Sequence, residues 1–242
     1  MHVFLENFQS ITWQMVVMWV IGALLIYLAI KKDMEPTLLL PMGFGAILVN
    51  IPVSGAVETL ETLYNAGIAN ELFPLILFIG IGAMIDFGPL LSNPKMMLFG
   101  AAAQFGIFIT FSLARLFGFS LEEAAATGII GAADGPTAIF VANHFGEATR
   151  GISSAIIVAA YSYMALVPFI QPPIMKLCTT KKERAVKMEQ LRPVSKTEQI
   201  LFPVVVTVVV CLILPEATSL IGMLMLGNLF RVCGVVDRLS KT

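Results

Sequence analysis

The chain has 242 residues, a formal net charge of −1, 57% hydrophobic residues and 13% charged ones, with a mean hydropathy of +0.87. That balance lies outside the range of soluble globular domains and indicates an integral membrane protein. No phosphate loop, hydrolase triad or zinc pattern occurs, and Cys178, Cys211 and Cys233 have neither metal-ligand nor disulfide spacing.

The first dozen residues carry Glu6, Asn7, Gln9 and Ser10 and lack the basic start of a signal peptide, so they are expected to be retained and interfacial. Trp13 to Ile30 is uncharged and apolar, carries Trp13 and Trp19 towards one end, and stops at Lys31-Lys32, as a first membrane span does. Thr37 to Ser54 is a second apolar run, punctuated by Pro41, Gly43, Gly45 and Pro52, which predicts a short or bent helix packed through small residues. Residues 56 to 72 place Val57, Leu60, Leu63 and Tyr64 at helical spacing among polar residues, the pattern of an amphipathic surface helix. Phe73 to Leu90 predicts a third span interrupted near its end by Asp86, which reads equally as an intramembrane group or as a cap near the Ser92-Asn93-Pro94-Lys95 junction. Met96 to Phe117 predicts a fourth, with Arg115 snorkelling at one end.

Residues 121 to 145 hold the stretch around which the rest is organised. Asp134 stands directly before Gly135-Pro136, a pair that interrupts a helix and opens the next half-helix at Thr137. In hydrocarbon, freed backbone groups and a carboxylate persist only where protein buries them or a cavity hydrates them, so Asp134 is a candidate functional group. The competing reading is a wet surface loop in which Asp134 merely caps a helix. Each half has about a dozen residues, roughly 18 Å at helical rise, short of a bilayer core and suited to a re-entrant hairpin.

Gly151 to Pro173 predicts the next span and carries Tyr161 and Tyr163; beyond it come Lys176, Lys181, Lys182, Arg184, Lys187, Arg192 and Lys196. The positive-inside rule makes this basic loop cytoplasmic, together with Lys31-Lys32. It lacks the interleaved aromatics of a nucleic-acid surface, so no nucleic-acid partner is expected. Counting spans then returns the Asp134 motif to the exterior side it entered from. Leu201 to Leu214 and Ala217 to Val236 repeat the order of an apolar span followed by a glycine-broken one. The expected organisation is a first membrane repeat at 1–175, a basic cytoplasmic loop at 176–199 and the start of a second, inverted repeat at 200–242. A second copy of the broken-helix motif is not reached by Thr242, so either a fragment or one half of a split subunit is expected.

Five ordered stretches carry a specific resemblance: Gly-Ala-Ala-Asp134-Gly-Pro-Thr-Ala-Ile-Phe, Gly-Ile-Gly-Ala-Met-Ile-Asp86-Phe-Gly-Pro-Leu, Gly-Ala-Ala-Ala-Gln104-Phe-Gly-Ile-Phe, Tyr161-Ser-Tyr163-Met-Ala-Leu-Val-Pro-Phe-Ile-Gln-Pro-Pro, and Gly-Asn228-Leu-Phe-Arg231-Val-Cys-Gly-Val-Val. The chain from about residue 10 resembles the beta subunit of the biotin-dependent sodium-pumping decarboxylases. Ala132 stands where Gly is more usual in that family. The polar cluster of the family's second half, an Asn-Pro stretch followed by Ser and Arg and a Gly-Pro-Asn turn, is not in this sequence.

The resemblance implies an all-α polytopic bundle, inverted-repeat and transporter-like, that decarboxylates carboxybiotin and exports Na⁺ from the cell. It makes Asp134 the coupling residue, adds Tyr163 or its close alternative Tyr161, and implies a biotin-carrier and carboxyltransferase (alpha) subunit and a small membrane gamma or delta subunit as partners. Carboxybiotin breakdown consumes a proton, so a carboxylate that holds either H⁺ or Na⁺ couples the two. The opening turn at Gly135, Pro136 and Thr137 is the expected cofactor-binding element, since a half-helix N-terminus favours an anion. Asn50, in the broken second segment, is a weaker Na⁺ candidate that alternatively pairs with freed backbone, and His144 reads as a proton relay or an interfacial side chain. Association with membrane lipid and with further copies of the chain is expected. The rival functions are a secondary Na⁺/carboxylate symporter without decarboxylase chemistry and a non-catalytic membrane anchor.

Overall fold

A computed structural model describes residues 10–32, 34, 36–149, 151–187 and 192–236; the interfacial start and parts of the basic loop and of the C-terminal segment lie outside them. Its helices are α1 (Trp13–Lys32), α2 (Pro36–Val49), α3 (Ala56–Leu63), α4 (Leu72–Met84), α5 (Gly88–Ser92), α6 (Met97–Leu116), α7 (Leu121–Gly128), α8 (Gly135–Phe145), α9 (Ser153–Cys178), α10 (Lys181–Arg184), α11 (Lys196–Ile213) and α12 (Thr218–Cys233). Among the described residues there is no strand. Four helices among the described residues are long and apolar enough to cross a membrane: α1, the 94–116 segment containing α6, α9 and α11. A fifth is reached if Ala56–Ile68 and Leu72–Met84 count as one broken span. The chain is thus an all-α, multi-pass membrane protein. Its outward residues fit that setting: Leu98, Phe99, Phe105 and Phe108 of α6 are exposed, and side chains of this kind stay outward without penalty only against lipid.

Helix starts obey local chemistry. Ser120, Thr180 and Ser195 each cap a helix and pair reciprocally with a glutamate three residues on, Glu123, Glu183 and Glu198. Some element bounds differ from the sequence expectation. The amphipathic stretch divides into α3 and a π turn at Tyr64–Ile68, and α9 continues through Pro168, Pro172 and Pro173 to Cys178 instead of ending at Pro173. Thr179 Oγ1 donates to Met175 O, which ties off the last turn beyond the prolines.

Contacts divide the chain into two units, one of residues 1–66 and 158–185, the other of 67–157 and 186–242. In the first unit, α1 and α2 touch through glycine. A Cβ on Gly22 would meet Gly43 O at 2.6 Å, and one on Gly43 would meet Gly22 O at 2.6 Å. Ala29, Met34, Leu39 and Ala165 form the buried cluster of that unit, and Trp19 Nε1 donates to Asn50 O at 3.2 Å. A cavity of about 490 Å³ lies between α1, α2 and α9, lined by Met18, Ile21, Leu25, Met42, Ser162 and Ala165 among others.

In the second unit, α4 and α12 cross at Gly82 and Gly227, and α6 meets the 3₁₀ turn Ile129–Ala132 at Gly106 and Gly131, where an added Cβ would lie 2.4–2.5 Å from the opposing carbonyl. Phe87 and Phe202 pack with ring centroids 5.0 Å apart, fastening α11 to the residues just after α4.

Candidate functional site

The aspartate motif is a helix that stops, turns and starts again. After α7 the chain tightens into the 3₁₀ turn Ile129–Ala132, Ala133 takes a left-handed conformation at φ 57°, and Asp134 is extended at φ −130°, ψ 106°. Gly135 and Pro136 occupy the first turn of α8 and are buried. Proline needs no N–H partner there, which is why the helix restarts at this point.

The two halves double back. Ala126 of α7, Ala142 of α8 and Ile156 of α9 share one buried cluster, whereas 16 residues of continuous helix would set Ala126 and Ala142 about 24 Å apart. The alanines permit the close approach; Ala126 and Ala142 are fully buried. Asn143 extends the anchoring by donating from Nδ2 to Ile68 O at 3.0 Å.

Asp134 is half-buried at the N-cap of α8. Its backbone carbonyl accepts the Ala138 N–H at 3.0 Å, and its carboxylate Oδ2 accepts the hydroxyl of Thr137. The side chain therefore bonds a side-chain donor and makes no side-chain bond to the helix N–H groups. Before the break, Thr127 of α7 has a buried Oγ1 without a hydrogen-bond partner. The side chains that meet at the break are the Asp134 carboxylate and the Thr137 hydroxyl, hard oxygen ligands of the kind that alkali cations take at interrupted membrane helices. Among the described residues no cluster of His, Cys, Asp and Glu has the makings of a transition-metal site.

The remaining sequence candidates are divided between the two units. Tyr161 and Tyr163 are half-buried on α9 in the first unit, and Tyr163 lines an apolar groove of about 320 Å³ with Val167, Ile170, Gln171, Ile174 and Met175. Asn50, also in the first unit, donates from Nδ2 to Ala46 O at 2.8 Å, so its amide serves the end of α2. His144, at the far end of α8, is exposed and faces the Phe145 ring edge-on at a centroid distance of 5.5 Å.

A second aspartate sits at a second break. After Met84 the chain is extended at Ile85 and restarts at Gly88-Pro89; Asp86 Oδ1 accepts the Gly88 N–H at 2.9 Å, a local turn bond. Here the carbonyls at the end of α4 already have donors. Asn228, 1% exposed, donates from Nδ2 to Gly82 O at 3.2 Å and to Ile85 O at 2.9 Å. Arg231 donates to Met84 O. No local signal in the sequence points to these bonds, each of which reaches across more than 140 residues. The capping box of Ser120 and Glu123, by contrast, is a readable Ser-x-x-Glu pattern.

These features define a multi-pass helical membrane protein built around an aspartate at a broken, folded-back helix. Within that class, the chain belongs to the family described as the Na⁺-transporting oxaloacetate decarboxylase beta subunit, which matches residues 14–242. It is 54% identical over 237 residues to methylmalonyl-CoA decarboxylase subunit beta of Veillonella parvula, covering 98% of this chain and 63% of that protein. It is 53% identical over 240 residues to glutaconyl-CoA decarboxylase subunit beta of Acidaminococcus fermentans, covering 98% of this chain and 63% of that protein. Oxaloacetate decarboxylase beta chain of Klebsiella pneumoniae is 44% identical over 290 residues, covering 93% of this chain and 66% of that protein. The chain thus spans a little under two thirds of the length of these relatives.

Proposed function

We propose that this chain belongs to the membrane subunit of a sodium-pumping decarboxylase, in which Asp134 holds Na⁺ and H⁺ in alternation. The observation that carries the reading is the position of the Asp134 carboxylate. It is set by Gly135-Pro136 at a helix break and bonded to the Thr137 hydroxyl. Carboxybiotin, brought by a biotin-carrier and carboxyltransferase subunit, supplies the driving free energy, and its breakdown to biotin and CO2 consumes a proton.

Asp134 binds one cation at a time because a carboxylate carries one charge, so arrival of Na⁺ displaces the proton and departure of Na⁺ readmits it. Thr137 orients the carboxylate through its hydroxyl. The start of α8 at Gly135, Pro136 and Thr137 offers the positive end of a helix dipole to the carboxyl group of the incoming substrate. Tyr163, or Tyr161 two residues before it, relays the proton. Asn50 is a secondary Na⁺ contact.

The same reading places the chain in the cytoplasmic membrane, as a first repeat at 1–175 and a second beginning at 200, with the loop at 176–199 on the cytoplasmic side. It has a small gamma or delta membrane subunit and further copies of itself as neighbours. The experiment is Asp134→Asn in the assembled complex, with Na⁺-stimulated CO2 release from carboxybiotin as readout. The expected result is loss of Na⁺-dependent turnover at unchanged melting temperature. An Asn variant that remains active and Na⁺-stimulated overturns the reading.

A further inference from the structure

We propose that the junction from Lys176 to Arg184 is a binding site for the headgroup of an anionic phospholipid. The starting point is the length of α9. Its 26 residues reach about 39 Å at helical rise, whereas the hydrocarbon core of a bilayer takes about 30 Å, or some 20 residues. Counted from Ser153, the helix leaves hydrocarbon near Pro172-Pro173, and Lys176 is the first charged side chain along it. The last turn of α9 therefore stands in the headgroup layer.

The segment from Thr179 to Arg184 is folded back over that turn. Arg184 Nη1 donates to Lys176 O at 3.3 Å, to Thr179 Oγ1 at 2.9 Å and to Thr179 O, which gives one carbonyl of the last turn of α9 a donor and ties the short helix α10 to its end. Lys181 and Lys182 belong to the same short helix as Arg184, and all four cations, Lys176 included, are exposed. The acid of the group is engaged in the cap of α10: Glu183 Oε2 accepts the Thr180 N–H at 2.7 Å and the Thr180 hydroxyl at 2.9 Å. Among the described residues no ion pair joins Glu183 to a lysine.

Beside the cations the same helix end carries outward apolar side chains. Leu177 is 87% exposed and Ile174 and Met175 are each 52% exposed. Cations beside outward apolar side chains, with Ile174 and Met175 nearest the hydrocarbon boundary, match the headgroup and the adjoining acyl portion of a phospholipid, and a juxtamembrane cluster of four basic residues has the density that recognises anionic lipid. An acidic protein segment would be matched by the lysines but not by the outward Ile174 and Met175.

The test uses the protein purified from its membrane. Its melting temperature is followed with added phosphatidylglycerol, phosphatidylcholine, inorganic phosphate or a polyglutamate peptide, alongside the Lys181→Gln/Lys182→Gln double variant. The expected result is a rise with phosphatidylglycerol that weakens with salt, is not reproduced by the other three, and needs about tenfold more lipid or greater in the double variant, in line with about 1 kcal/mol per basic residue. Equal shifts with phosphatidylcholine overturn the proposal in favour of acyl contacts alone. An equal shift with phosphate overturns it in favour of a free-anion site, and a shift confined to polyglutamate in favour of an acidic protein partner. A double variant that responds to phosphatidylglycerol as the unaltered protein does also overturns it.

Discussion

Gly82 and Gly227 seat α4 and α12 on one another symmetrically. A Cβ on Gly82 would lie 1.9 Å from Leu224 O, and a Cβ on Gly227 would lie 1.9 Å from Ile79 O. Each oxygen belongs to the residue three positions before the opposing glycine, so the crossing has a local two-fold relation. Small residues let membrane helices gain dispersion contact along their backbones, where lipid removes the usual hydrophobic drive for association. Substituting Gly82→Val or Gly227→Val forces the helices apart and is expected to cost about 3 kcal/mol or more, at or above the upper end of ordinary overpacking. Gly80→Ala, on the same helix with nothing within 4 Å of the added carbon, is expected to stabilise by up to about 1 kcal/mol through helix propensity. Thermal melts in detergent compare the three; equal behaviour of Gly80→Ala and Gly82→Val contradicts the close crossing.

One residue past Gly227, Asn228 closes the end of α4. Its amide nitrogen serves two carbonyls, Gly82 O and Ile85 O, at a site with almost no exposure. Asn228→Ala leaves buried carbonyls without a donor and is expected to cost about 2 kcal/mol. Asn228→Asp keeps the shape but sets a carboxylate oxygen against those carbonyls, so it is expected to be worse than alanine. A melting temperature for Asn228→Asp at or above that of Asn228→Ala removes the amide nitrogen from its capping role.

Asp134 and Asn228 mark the division between what the sequence discloses and what it withholds. The Asp134 break is written locally: a carboxylate before Gly-Pro, between two half-length apolar stretches, is readable from backbone rules alone. The long spans are legible for the same reason, since uncharged runs of 18 or more residues have few alternatives. Asn228 reads as one more polar residue in an apolar helix, because its partners are chosen by the α4–α12 crossing and not by its neighbours. The end of α9 misleads in the opposite sense: Pro172-Pro173 signals a stop, yet the helix runs on to Cys178, near the membrane surface where water can satisfy the carbonyls that proline leaves free. The unpartnered hydroxyl of Thr127 has no sequence signal, since a threonine at that spacing on α7 is equally compatible with a bond to its own helix.

Acid acts locally on α10. Hydrogen bonds from the Thr180 backbone N–H, and then from its hydroxyl, hold the Glu183 carboxyl below its ordinary value of 4.5. A carboxyl depressed in the folded state stabilises fully above its unfolded value, and that stabilisation disappears as pH falls through the folded one. The α10 turn is therefore expected to be intact at neutral pH and to fray on acidification below about 4.5. Protection of the Thr180 amide, taken relative to its intrinsic exchange rate at each pH, is expected to fall in that range and to be absent in Glu183→Ala at every pH. Protection in Glu183→Ala equal to that of the unaltered chain excludes the capping box as the cause.

Thr137 provides the sharpest separation of site from scaffold. Its hydroxyl donates to the carboxylate of Asp134, whereas its backbone lies in the first turn of α8 after Gly135-Pro136. Thr137→Val preserves the branched shape and removes the donor; Thr137→Ser keeps the donor and loses a methyl group. A hydrogen bond to an ionised carboxylate contributes about 1.5–3 kcal/mol, so its loss frees Asp134 from one orientation by a comparable amount. In the assembled complex, Thr137→Val is expected to raise the Na⁺ concentration for half-maximal turnover by about tenfold or more, with Thr137→Ser close to the unaltered protein. If both variants weaken Na⁺ dependence equally, packing of the first turn and not the hydroxyl governs the site. If neither does, Asp134 is held in place by its position in the break alone.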